Sequence, residues 1–377
     1  MEHILVRPGD SLPTIAKSRH TSPEALARHN QLGDPRRLCP GLSLVLDRPT
    51  DTSPTATELC AALSPRAQPE LVEALLPSLS WLCLQGSRLT GQGTLHLPEQ
   101  QEHFLGFAQR HQVLPLLTVS NLDRGSFSPA LAHALFCREE SFRALGDNIL
   151  NALDAQCYRG VELNFQYLYS FDREAYAVFA RRLGDLLHAA GYYLFCSLAP
   201  KTAATAEAPL CAGQDYEALA AAADRLILLA HGWGGAFTAP QAIAPLDRVT
   251  AALDYAAALL PPGKLLLSLS WDGCGWTLPW RQGDEGRPLS SSLAVDTAVS
   301  AGAEIRYDPV SQAPFFLCPG PGGKRRIVWF EDSRSLQARL ELALSRGLAG
   351  VSLWPRDRLY RPGLLTLQSC CTGEKLV

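Results

Sequence analysis

The sequence predicts a (β/α)8 barrel with a small inserted β element, preceded by a strand–helix–helix–strand module. Three observations predict it. Past residue 58, eight short apolar runs alternate with segments of helix length. Residues 3–47 order two strands around two capped helices. Between them, residues 48–57 form a polar stretch, RPTDTSPTAT, that reads as a linker. The expected division is therefore a module at 1–48, a linker at 49–57 and a barrel at 58–377. A total of 377 residues suits one barrel of about 250 residues with loops, plus such a module.

In the module, Ile4-Leu5-Val6 is a short strand. Asp10 or Ser11 can cap a helix that turns Leu12, Ile15 and Ala16 inward, and Pro13 is tolerated in a first turn that needs no amide donor. Ser22 caps a second helix with Pro23 at its first position, and Asn30 and Gly33 end it. Pro40-Gly41 turns the chain into a closing strand, Leu42 to Leu46.

The eight barrel runs are Leu59–Leu63, Trp81–Leu84, Val113–Val119, Gly160–Phe165, Tyr192–Leu198, Arg225–Leu229, Leu265–Leu269 and Ala349–Leu353. The clearest helix starts at Asp172, buries Tyr176, Phe179, Leu183 and Leu186, and stops at Gly191. Ala303 to Asp332 breaks the rhythm around a Pro-Gly-Pro-Gly-Gly turn and reads as the inserted element. In the fourth run, Val161, Leu163 and Phe165 suit the helix layer. Glu162, Asn164 and Gln166 then face the barrel interior.

Hydrophobic residues make up 47% and charged residues 19% of the chain, an ordinary globular composition. A net charge of −3 argues against a nucleic-acid partner. No apolar run reaches the roughly 18 residues of a membrane span. The start, MEHILVRPGDSL, has no basic segment followed by an apolar core, so no secretory signal is expected. The 11 cysteines lack zinc-like spacing, so neither a metal nor a cofactor is expected. Cys60, Cys83 and Cys196 read as buried thiols, and Cys370 and Cys371 as a pair that cross-links only in an oxidising setting.

Val6-x-Pro8-Gly9-Asp10-Ser11-Leu12, Ile15-Ala16, Asn30-x-Leu32 and Pro40-Gly41-x-x-Leu44 resemble a LysM module over nearly its whole length. The resemblance implies binding of N-acetylglucosamine-containing glycans, peptidoglycan or chitin. It places the sugar against Gly9, Asp10, Ser11 and Leu12 and against Asn30 to Leu32. The competing reading of Gly9, Asp10 and Asn30 is that they are turn and cap residues.

The barrel resembles family 18 glycoside hydrolases, in particular the bacterial spore cortex-lytic N-acetylglucosaminidases that join LysM to such a barrel. The stretches that carry this are the fourth strand, Ala199-Pro200-Lys201-Thr202, Gly275-Trp276-Thr277-Leu278-Pro279, Val328-Trp329-Phe330-Glu331-Asp332-Ser333 and Trp354. The family pattern on the fourth strand, Asp-x-x-Asp-x-Asp-x-Glu, falls on Arg159, Glu162, Asn164 and Gln166. The resemblance makes Gln166 the general-acid position and Asn164 the one that orients the substrate acetamide. An amide has no acidic proton to give, and losing general-acid catalysis costs about 10²–10⁴ in rate. Glu162 lies too far down the strand to substitute, so a structural role with an interior arginine or hydroxyl is expected.

His231 falls where the resemblance implies a tyrosine that holds the N-acetyl oxygen. Asp272 is the best surviving carboxylate near the cleft. It either forms a turn before Gly273 or makes an improvised acid–base pair with His231. Asn121 and Asp123, at the end of the third strand, carry the same ambiguity. Trp354, Trp233, Trp271 and Trp276 lie at strand ends and suit the flat faces of sugars. Trp280 and Trp329 read as packing residues. Three functions follow: a glycan-binding protein with impaired catalysis, an active glycosidase with a rewired site, or a structural spore-coat or cortex component. The resemblance also implies spore packaging after cytoplasmic synthesis.

Overall fold

The structure, a computed structural model, describes residues 1–47, 53–203 and 205–376. The strand–helix–helix–strand order is present. Glu2–Leu5 pairs antiparallel with Ser43–Leu46, and helices Leu12–Ser18 and Pro23–His29 lie between them. Ser11 and Ser22 cap those helices through their hydroxyls, as Ser at an N-cap does.

Eight parallel strands form the barrel, and each falls on a predicted run. They are Thr55–Leu63, Trp81–Leu84, Leu114–Ser120, Gly160–Asn164, Tyr193–Leu198, Arg225–Leu228, Leu265–Ser270 and Gly350–Trp354. Each pairs with the next, and the eighth pairs with the first, which closes the sheet. Alternation sorts the side chains. Val161, Leu163 and Phe165 join the outer core with Tyr176, Phe179 and Leu183 of helix Arg173–Ala189. Burying each such side chain stabilises the fold by roughly 1.5–3 kcal/mol. The interior is filled by Cys60, Trp81, Cys83, Leu116, Phe195, Ile227 and Leu266. Its floor is closed by Glu58, which accepts from the Trp81 indole at 2.7 Å and from Arg225 Nε at 2.9 Å.

Two boundaries differ from the sequence expectation. Residues 49–52 of the expected linker lie outside the described residues, and residues 55–57 already belong to the first strand. They pair there with Cys371–Gly373. The inserted element is also larger than residues 303–332. Its five-stranded antiparallel sheet begins at Asp272–Leu278, directly after the seventh barrel strand, and includes Arg287–Ser290 and Arg325–Phe330. The glycines that disguised this strand serve close packing. A Cβ at Gly275 would lie 2.4 Å from Arg326 Nε.

The N-terminal module does not hang free. Its Ile4, Leu12, Leu26 and Leu44 share one hydrophobic core with Val295, Ile305, Phe316 and Phe330 of the insertion. Ile305 donates its amide to Pro40 O at 2.9 Å. Gly41, at φ 82°, passes so close that a Cβ would stand 1.8 Å from Ile305 O. Gln31 Oε1 accepts from the Arg361 amide at 2.6 Å, and His3 bonds Gln337 at 2.6 Å. No described helix is long and apolar enough to cross a membrane.

Candidate glycan cleft

A cavity of about 650 Å³ opens at the carboxyl ends of the barrel strands, where barrel sites form. Asn164 and Gln166 reach it from the fourth strand, Leu229 and His231 from the sixth, Asp272 from the seventh and Trp354 from the eighth. The sequence-predicted residues Gln166, Asn164, His231, Asp272 and Trp354 are thus brought together.

Gln166 is buried and held on all sides. Its Nε2 donates to Asn164 Oδ1 at 3.0 Å and to Ser197 O at 3.3 Å. Asn121 clamps its backbone, accepting from Gln166 N at 2.9 Å and donating to Gln166 O at 2.9 Å. Asn121 is fully buried and does not line the cavity, so the expectation that it touches substrate is replaced by a bracing role. Asp123 sits in a small hairpin, Leu122–Asp123 with Ser126–Phe127, and only Phe127 of that hairpin lines the cavity.

Glu162 has the structural role expected. It accepts from Thr118 Oγ1 at 2.6 Å and from Ser197 Oγ at 2.6 Å inside the barrel. Burial pushes its carboxyl up, against those hydroxyls. It does not reach the cavity lining.

His231 packs edge-on against Trp354, ring centroids 5.4 Å apart. Burial, aided by the Arg356 guanidinium, pushes it down to about 4, so it is neutral at pH 7. Its Nε2 is enclosed without a partner among the described residues. Asp272 has one oxygen on Arg356 Nε at 2.8 Å and the other, Oδ1, unpartnered. Burial raises it to about 7, with Arg356 opposing. His231 and Asp272 share the cavity, but Asp272 pairs with Arg356 rather than with the imidazole.

Three of the four tryptophans lie elsewhere. Trp271 is buried, and its indole donates to Arg358 O at 3.1 Å. Trp276 is fully buried in the inserted sheet and donates to Thr238 O at 2.8 Å. Trp233 packs half-buried against the outer core. Each is amphipathic, and an indole that finds a backbone carbonyl is stable inside. Trp329 stacks on Phe315, and Trp329 and Trp280 both pack against the small core of Ile243, Cys274 and Trp276, as packing residues do. The motifs 199–202 and 328–333 are structural too. Lys201 Nζ donates to Gln214 O, Asp332 caps helix Ser333–Ser345, and Glu331 pairs with buried Arg339 at 3.5 Å.

Sequence reasoning missed Gln85, Phe127, Arg356 and Arg358 in the lining. The arginines carried a signal, since they follow Trp354 at the carboxyl end of the eighth strand. Gln85 and Phe127 carried none.

In the N-terminal module, a second cavity of about 410 Å³ is lined by Leu12, Pro13, Pro23, Glu24, Ala27, Pro35 and Arg36. Of the residues expected to touch glycan, only Leu12 lines it. Gly9, Asp10 and Ser11 are exposed beside it, and Asp10 accepts from the Arg7 amide at 2.8 Å. Asn30 is buried and braces the closing strand, accepting from Val45 N at 2.7 Å and donating to Val45 O at 2.9 Å. Leu32 packs on the shared core.

All the cysteines of the chain are free, and Cys60, Cys83 and Cys196 are buried as expected. Among the described residues, His133, Cys137 and Asp172 are the cluster with metal-ligand chemistry, but His133 Nδ1 and Asp172 Oδ1 already bond each other at 2.7 Å.

A closed barrel with an inserted sheet and a polar cavity lined in part by Trp354 belongs to the class of barrel proteins that take ligands at the strand ends. Residues 106–358 match glycosyl hydrolases family 18 and residues 4–47 match the LysM domain. The chain belongs to family 18, with a LysM domain at its N-terminus. It is 32% identical over 279 residues to the cortical fragment-lytic enzyme of Bacillus subtilis, covering 74% of this chain and 64% of that relative. The chain thus spans just under two thirds of that relative's length. The crystal structure of the Bacillus cereus spore cortex-lytic enzyme SleL superposes with TM-score 0.80 at 30% identity, over 99% of this chain and 88% of that one. A Chromobacterium violaceum chitinase, 23% identical with TM-score 0.76 over 83% of this chain and 99% of that one, shares the fold.

Proposed function

We propose that this protein binds N-acetylglucosamine-containing glycan of the peptidoglycan or chitin type, in the barrel cavity and on the LysM module, and that it is impaired as a hydrolase. The relatives named for cortex lysis support a place with the spore coat or cortex. One observation carries the impairment: the cavity-facing end of the fourth strand holds Gln166, bonded to Asn164, where family 18 members hold two carboxylates. Neither amide supplies a proton to a leaving oxygen, nor negative charge to an oxazolinium-like intermediate. The bracing of Gln166 supports a preformed cleft in which Trp354 can take a sugar face.

Calorimetric titration of chitotetraose into the full chain tests this reading. Binding that weakens on Trp354→Ala, with no sugar released, supports it. Absence of binding leaves only a scaffold.

A second reading has one specific observation behind it. Asp272, raised to about 7 with Oδ1 unpartnered, can hold a proton near neutral pH, so an active, rewired glycosidase would use it as the acid.

A further inference from the structure

Outside the cleft, three side chains with metal-ligand chemistry converge on one point. His133 and Cys137 stand four residues apart on helix Pro129–Cys137, so they share a face. Asp172 reaches them from the turn Ser170–Asp172, which follows the fourth barrel strand. Cys137 Sγ lies 3.6 Å from His133 Nδ1, and Asp172 Oδ1 lies 2.7 Å from the same nitrogen. One ligand atom from each residue lies within 4.8 Å of the other two. Ligands at about 2.0–2.3 Å from one tetrahedral zinc ion stand roughly 3.3–3.5 Å apart, so shifts of about 1 Å would seat the ion. The exposed Cys137 and the half-exposed His133 have room to make them.

Hydrogen bonding among the three groups leaves them short of partners. If Nδ1 carries a proton for Oδ1, it has no lone pair to accept from the thiol. If it carries none, its lone pair faces the carboxylate. The Asp172 side chain is only 2% exposed, and its second oxygen, Oδ2, is enclosed without a partner among the described residues. An unpaired buried oxygen of that kind is costly. Asp172 also stands at the N-cap of helix Arg173–Ala189, a place where aspartate commonly bonds the first amides, yet its side chain makes no cap bond. It is turned toward His133 instead. A cation takes a lone pair from each group at once and gives the unpartnered carboxylate oxygen a positive partner.

We propose that His133, Cys137 and Asp172 form a site for a divalent, zinc-type cation between the helix after the third strand and the turn after the fourth. Thiolate, imidazole and carboxylate together suit zinc rather than magnesium or calcium, which take oxygen ligands. Cys137 binds as the thiolate, so uptake of the ion releases its proton. The ion braces the two segments against each other and leaves its fourth position to water. Cysteine spacing gave no signal for this site because only one of its ligands is a cysteine.

The test is titration of the full, reduced chain with Co²⁺ and then Zn²⁺, followed by absorption. Cobalt bound by a thiolate gives a charge-transfer band in the near ultraviolet. We expect one equivalent of cobalt to produce that band and zinc to displace it. Cys137→Ser should abolish the band, and His133→Gln should weaken zinc binding at least about tenfold. Both variants should fold, since neither side chain is buried and a glutamine can still donate to Asp172. Saturating zinc should raise the melting temperature of wild type by a few degrees and leave that of Cys137→Ser unmoved. No charge-transfer band from folded wild type overturns the site. So does a band that survives Cys137→Ser, which places the thiolate at another cysteine. Zinc affinity that His133→Gln leaves unchanged overturns it likewise.

Discussion

Gln166 Nε2 donates to Asn164 Oδ1 across 3.0 Å, so one amide satisfies another at the two positions where the resemblance to family 18 implies carboxylates. Two adjacent carboxylates would repel unless they shared a proton, which would leave one of them an acid. Here the pair is neutral at every pH.

Restoring the acids one at a time separates their roles. Gln166→Glu alone supplies a proton donor but leaves the acetamide without charge stabilisation, so little activity is expected. Gln166→Glu with Asn164→Asp should release measurable product from a chromogenic N-acetylglucosaminide, although the resemblance implies a tyrosine where this chain has His231. A silent double variant that is folded and still binds glycan would show that the deficit lies beyond these two positions.

The Asn121 side chain makes two bonds to the Gln166 backbone and one to Ser128 O, without lining the cavity. Asn121→Ala leaves a buried N–H and a buried C=O unsatisfied, at a cost of about 1–3 kcal/mol each. Urea unfolding should show that loss, and chitotetraose binding should weaken as Gln166 drifts. An unchanged midpoint would mean the clamp is replaced by water.

The LysM module and the insertion should unfold as one body. Gly41→Ala drives a Cβ into Ile305 O and forces an alanine into left-handed backbone. We expect a loss of at least about 2 kcal/mol, or an early transition in which the module detaches. A single transition at the wild-type midpoint would contradict the shared core.

Asp272 gives stability a pH signature. Its folded value, about 7, lies above its ordinary 3.8. Between those values the unfolded chain has lost the proton while the folded chain keeps it, so stability falls as pH rises from 4 to 7 and levels above. The slope contributed is up to about 1.4 kcal/mol per pH unit. Asp272→Asn should flatten the curve over that window, measured by chemical denaturation at a series of pH values. An unchanged slope would mean Arg356 keeps the carboxylate ionised.

Much of the barrel was legible because apolar runs and helical periods repeat. The fourth strand shows why its inner face was too. Val161, Leu163 and Phe165 must meet the helix layer, which leaves Glu162, Asn164 and Gln166 inside. The inserted sheet was read short because Gly273 and Gly275 look like turn residues, while their real task is close approach between strands. The tryptophans misled for a related reason. Trp271 and Trp276 have indoles that find backbone carbonyls across the fold, at Arg358 and Thr238, and no local pattern encodes such distant partners. Asn30 caps the second helix, as its competing reading expects, while its side-chain partner Val45 lies across the module.

The most direct test of the account is product release from cortex fragments and from a chromogenic N-acetylglucosaminide, by wild type beside Asp272→Ala. The account predicts no detectable product from either protein, with glycan binding retained by wild type. Turnover by wild type that Asp272→Ala abolishes, with binding intact, would contradict it and establish an active enzyme with a rewired acid.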